Sequence, residues 1–148
     1  MRTDLETWAE SGRLRRHPPI KGEIARMLGT AERDLHDCRT PGLRADWRFN
    51  IAYSAILGLA SAALAACGYR ASREGHHYWT IQSLGSTLGL EPDVIDELDA
   101  FRKKRNIATY EETGYVSDKE ADEIINVAEK LRAQVVRWLK EKHRDMVD

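Results

Sequence analysis

Apolar residues in this chain recur at helical rather than strand spacing. Ile24, Leu28, Ala31, Leu35 and Cys38 step by four and three, which puts them on one helix face before Pro41 and Gly42 break the pattern. A long alanine-rich helix is predicted from about Leu43 to Cys67, closed by Gly68 as its C-terminal cap. A shorter helical segment spans His76 to Leu88 and ends at Gly89. Pro92, suited to a first helical position, opens another helix that runs to about Glu111. The last helix starts at Ser117, whose partner Glu120 completes a capping box, and carries Ile124, Ala128, Leu131, Val135 and Trp138 on one stripe. No segment shows the period-two alternation of a half-buried strand. The pattern predicts an all-α protein, an up-and-down bundle of five to six helices joined by short loops.

Residues 1–19 read as a short N-terminal helix and linker, and residues 20–148 as a single bundle domain. Thr3 and Glu6 have capping-box spacing, Leu5 and Trp8 give the short helix an apolar edge, and Pro18 and Pro19 mark the linker. A chain of 148 residues is long enough to bury one ordinary core without disulfides. Cys38 and Cys67 have no metal-ligand spacing and read as small apolar residues of a reducing cytoplasm. The N-terminal MRTDLETWAE lacks the apolar run of a signal peptide, in keeping with a cytoplasmic protein.

The stretch from Asn50 to Tyr69 is free of charge and nearly long enough to span a bilayer. It is built mainly of alanine, glycine and serine, which transfer to lipid far less favourably than leucine. A helix apolar all round is equally expected at the centre of a bundle, and a buried central helix without a membrane is the reading taken.

The formal net charge of -1 excludes a whole-surface nucleic-acid footprint, so any phosphate site must be local. Basic residues cluster at Arg13, Arg15 and Arg16, at Arg70 and Arg73, and most densely from Arg102 to Arg105. In the helix after Pro92 the apolar stripe Val94, Leu98, Phe101 is followed by Arg105 and then Ala108. Arginine stays charged in proteins, so a place on the core face requires an anion, a carboxylate or an interface. Asn106, Thr109 and Tyr110 stand beside it and complete a polar ridge. A structural alternative pairs Arg105 with Asp46, Glu74 or Glu111.

Around Arg105, the run Arg102, Lys103 and Lys104 reads as a solvated face, with only Arg105 turned inward. Lys103 and Lys104 would contact an RNA backbone through counterion release. His76 and His77 are about a quarter turn apart, a poor spacing for two ligands of one metal, but His77 becomes a candidate base if the fold brings it to Arg105. There is no Gly-rich phosphate loop, nucleophile elbow or metal-ligand spacing, and neither cofactor nor metal is expected.

Three blocks, NIAYSAILGLASAALAACGY, HHYWTIQSL and RNIATYEETGYVSDKEA, follow one another between Asp46 and Trp138 in an order that resembles the HEPN family. These are small helical-bundle proteins of prokaryotic toxin-antitoxin and defence systems. The resemblance implies metal-free RNA chemistry, in which a histidine of an Arg-x-x-x-x-His motif helps the ribose 2′-hydroxyl attack the neighbouring phosphate while the arginine stabilises the developing charge. It also implies a homodimer and a nucleotidyltransferase-like partner protein that modifies a tyrosine near the motif, here Tyr110 or Tyr115. Arg105 matches the arginine, Asn106 the polar residue that follows it, and Tyr110 stands where the histidine would be. A phenol with a pKa near 10 is only about one part in a thousand ionised at neutral pH, so Tyr110 is a poor base.

Arg105, Asn106 and Tyr110 are the candidate catalytic residues, and Arg102, Lys103, Lys104, Thr109 and His77 the candidate nucleotide- or RNA-binding ones. The functions left open are a phosphate-binding HEPN-like protein that is weakly catalytic or inactive, a metal-independent ribonuclease using Arg105 with Tyr110 or His77, and a non-catalytic interaction module.

Overall fold

A computed structural model describes residues 3–110 and 115–148, with only the backbone for 107–110. Its helices are α1 (Asp4–Glu10), α2 (Lys21–Asp37), α3 (Ala45–Ala66), α4 (His76–Gln82), α5 (Leu84–Thr87), α6 (Pro92–Tyr110) and α7 (Asp118–Lys142), with a closing 3-10 turn at Arg144–Met146. The protein is an all-α helical bundle, and α5 is a single turn.

The centre of the bundle is α3. Phe49, Ala52, Tyr53, Ile56, Leu59, Ala60 and Ala63 are all buried, and α2 and α7 pack along it. By length and composition α3 could cross a membrane, but most of it is covered by the protein's own helices. Its alanines and Gly58 let the flanking helices come close; an added Cβ at Gly58 would already touch the Met27 carbonyl at 3.6 Å. The flanking helices are amphipathic. From α2 come Ile24, Ala31 and Leu35, and from α7 come Ile124, Ala128, Leu131 and Val135, all buried against α3.

The helix ends follow the sequence signals. Ser117 accepts a hydrogen bond from the Glu120 N–H while the Glu120 carboxylate accepts one from the Ser117 N–H, closing the capping box. Thr3 accepts from the Glu6 N–H at the start of α1. Gly68, at φ +91°, makes the left-handed turn after α3 that a side chain would resist.

Two features differ from the sequence expectation. The segment expected to be a linker carries a strand, β1 (Leu14–Arg16), which pairs antiparallel with β2 (Tyr69–Ala71). Leu14 and Ala71 face inward from this ribbon and join Leu5 and Leu64 in a small second cluster with Trp8 and Trp79. The segment expected to run unbroken from His76 to Leu88 divides at Ser83 into α4 and α5.

The inward face of α6 differs from the expected stripe only at its start and at Arg102. Ile95 and Leu98 are buried, whereas Val94 is exposed. Continuing that face by helical steps brings Arg102 and Arg105 to the side toward α3 and α4. Phe101 is half-buried and meets Phe49 of α3 edge-on, ring centres 5.9 Å apart, which seats α6 on the bundle.

Candidate phosphate-handling cleft

Three helices meet at Tyr53. This tyrosine lies in the charge-free stretch of α3 and is 1 % exposed, so its hydroxyl needs a partner inside the protein. That partner is His77 in the first turn of α4: Tyr53 Oη and His77 Nδ1 are 3.2 Å apart and share a hydrogen bond. Arg105 of α6 approaches the same ring, its Cζ 5.8 Å from the ring centre. Gly75 lets α4 begin here, because its φ of +66° is left-handed and a Cβ would sit 3.1 Å from the Trp79 indole.

Burial pushes the Tyr53 phenol up to about 12, against the opposing pull of Arg102 and Arg105. The phenol is therefore neutral at physiological pH and serves as a hydrogen-bonding anchor. Burial lowers the proton affinity of His77, and the charges of Arg105, His76 and Arg102 lower it further. The ring is accordingly neutral at pH 7. With Nδ1–H donating to the phenol oxygen, Nε2 is a base; with the phenol donating to Nδ1, Nε2–H is a donor.

A cavity of about 340 Å³ lies beside this junction and meets it at His77; its walls are Arg73, Gly75, His76, His77, Tyr78, Arg102 and Asn106, and Tyr53 and Arg105 are not among them. Arg102 stacks over Tyr78, 5.4 Å from the ring centre, and donates to Asp99 Oδ1 at 2.7 Å. Burial works to raise the Asp99 carboxyl, but the hydrogen bond and charge of Arg102 hold it below the usual range. Arg105 forms no ion pair among the described residues. Of the acids offered as structural partners for it, Asp46 accepts a hydrogen bond from the Val116 N–H and Glu111 lies outside the described residues. Among the described residues no group of three or more His, Cys, Asp or Glu side chains gathers closely enough to hold a metal ion.

The sequence candidates thus divide. His77 and Arg105 meet at Tyr53, and His77, Arg102 and Asn106 line the cavity beside it. Lys103 is mostly exposed, its Nζ 3.5 Å from Asp99 Oδ2. Lys104 turns away to Glu120, at 2.9 Å, and lies over the Tyr115 ring at 3.7 Å from its centre. The expectation that only Arg105 turns inward is corrected: Arg102 and Lys104 are also half-buried, because Asp99, Tyr78, Glu120 and Tyr115 give their heads and stems partners. The side chains of Thr109 and Tyr110 lie outside the described residues.

Tyr53 was not among the sequence candidates. Its signal was a phenol in an otherwise apolar helix, a polar tip that a core position must satisfy.

No protein-family model matches the chain, and no curated protein matches its sequence.

Proposed function

We propose that the cleft beside Tyr53, entered between His77, Arg102 and Asn106, binds the phosphate of a nucleotide or an RNA, and that the protein is a HEPN-like homodimer. In this reading it is a cytoplasmic component of a toxin-antitoxin-type system with a nucleotidyltransferase-like partner. One observation carries the binding role. Arg105 and a neutral His77 are held against one buried phenol, and the arginine has no carboxylate partner among the described residues. An arginine whose role was to lock two helices together would be expected to have such a partner. A phosphate oxygen supplies the missing charge, with Arg102, Asn106 and His77 as further donors.

A second reading, metal-independent ribonuclease activity, is favoured by the Tyr53–His77 bond. A fixed neutral imidazole can accept the ribose 2′-hydroxyl proton as that oxygen attacks the adjacent phosphorus. The bond to the 5′-oxygen then breaks, that oxygen takes a proton, and a 2′,3′-cyclic phosphate remains while Arg105 stabilises the crowded negative charge. His77 thus takes the base role for which Tyr110 is poorly suited.

The binding role is tested by anisotropy of a fluorescein-labelled oligouridylate on the wild-type protein and on Arg105→Ala. A charge-assisted hydrogen bond contributes about 1.5–3 kcal/mol, so the substitution is expected to raise Kd by roughly 10- to 150-fold. An unchanged Kd would remove Arg105 from the site.

A further inference from the structure

A separate cavity of about 510 Å³ has walls from α2, α3, β2 and α4, and none of the residues so far placed at Tyr53 or in the cavity beside it except His76 belongs to it. Its size falls within the range of small-molecule sites, roughly 300–1,000 Å³. Ser61 and Ala65 lie on one stripe of α3 along this cavity, with Gly58 at the edge where α2 comes close, so small residues leave a shallow trench between the helices.

The charge around this trench is unbalanced. Its one carboxylate, Glu23, is engaged by His17 at 2.8 Å. Arg26 and Arg70, both exposed at the cavity, form no ion pair among the described residues. Arg70 also stands directly opposite Arg15 across the β1–β2 ribbon, an arrangement of like charges that destabilises a strand pair. Both arginines reach His76, where, after burial, they lower its proton affinity. Three other arginines do hold carboxylates, Arg39 with Glu129, Arg48 with Asp118 and Asp122, and Arg132 with Glu32, so an arginine of this protein open to an anion takes one where it is in reach. Arg26 and Arg70 on the wall of one cavity, beside a trench of small residues, suit an anionic ligand with an apolar body.

We propose that this cavity is a second, phosphate-ester site, in which Arg26 and Arg70 take the anionic group and the trench over Gly58, Ser61 and Ala65 takes a body of nucleoside size. The shared chemistry is that of a nucleotide, present either as a free mononucleotide or as one residue of a strand passing His76 into the first cleft. The site is built on its own residues and does not depend on Arg105.

The test is an amide ¹H–¹⁵N titration of the full chain with adenosine 5′-monophosphate and, separately, with a short oligouridylate. Saturable shifts are expected at Ser61, Ala65 and Arg70. The Arg26→Ala/Arg70→Ala double variant, which removes two exposed side chains and leaves the core intact, is expected to weaken that response at least ten-fold. In Arg105→Ala the same response should persist while shifts at His77 and Asn106 are lost. A response to the monophosphate identifies a free nucleotide as sufficient; a response to the oligouridylate alone identifies a strand, and either supports the site.

The proposal is overturned if neither ligand shifts Ser61, Ala65 and Arg70, if their shifts survive the double substitution, or if they vanish in Arg105→Ala. Absence of the His77 and Asn106 response alone counts against the first cleft and leaves the second standing.

Discussion

Replacing Phe49 with alanine is expected to cost about 3–5 kcal/mol of folding stability, a large fraction of the roughly 5–15 kcal/mol that holds a domain together. Phe49 is 1 % exposed, and its ring meets Phe101 edge-on between α3 and α6. Truncation opens a cavity and removes the aromatic pair that seats α6, one turn before Arg105. Urea denaturation followed by helical circular dichroism should show a lower midpoint. Any folded remainder should bind the labelled oligouridylate more weakly, because the position of Arg105 relies on that seat. A loss of less than 1 kcal/mol would contradict the placement of Phe49 at the α3–α6 contact.

The second large effect concerns His77 under the ribonuclease reading. General-base catalysis contributes about 10²–10⁴-fold, so His77→Gln is expected to reduce chelator-resistant cleavage of RNA by at least 100-fold. Glutamine retains a polar side chain of similar reach but cannot accept the proton. The direction of the His77 shift also sets the pH profile. The base works only when neutral, and its folded proton affinity is below the ordinary value of 6.5. Activity should therefore persist at pH values below 6.5 where a free imidazole would already be charged, and then fall through the lowered pKa. Equal cleavage by wild type and His77→Gln would exclude His77 as the base; it would leave the phosphate-binding role of Arg105 to its own test.

Much of the fold was legible because its signals are local. Ser117 and Glu120 cap α7, whose stripe Ile124, Ala128, Leu131 and Val135 is buried as its period predicts, and the bounds of α3 fall within two residues of those expected. The β1–β2 ribbon was hidden because each strand has three residues and its partner is distant in sequence, so no alternation could develop. The face of α6 was legible at Leu98, Phe101 and Arg105 and misread at its start and at Arg102, which was counted as solvent-facing. Val94 and Ile95 are both apolar, so periodicity alone could not tell that Ile95 is the buried one. Arg105 was legible as a charge out of place. Its setting was not, since Tyr53, His77 and Arg105 come from three helices that only tertiary packing brings together.

The central claim is that His77 and Arg105 belong to one site, and the imidazole of His77 reports on it directly. Burial and then the Arg105 charge disfavour its protonated form, so removing that charge must raise its pKa. An NMR titration of the histidine ring signals in the wild-type protein and in Arg105→Ala, with His77→Gln to assign the resonance, measures this without knowledge of the ligand. The predicted result is a His77 midpoint below 6.5 in wild type that moves upward in Arg105→Ala. A midpoint at or above 6.5 that Arg105→Ala leaves unmoved would contradict the site.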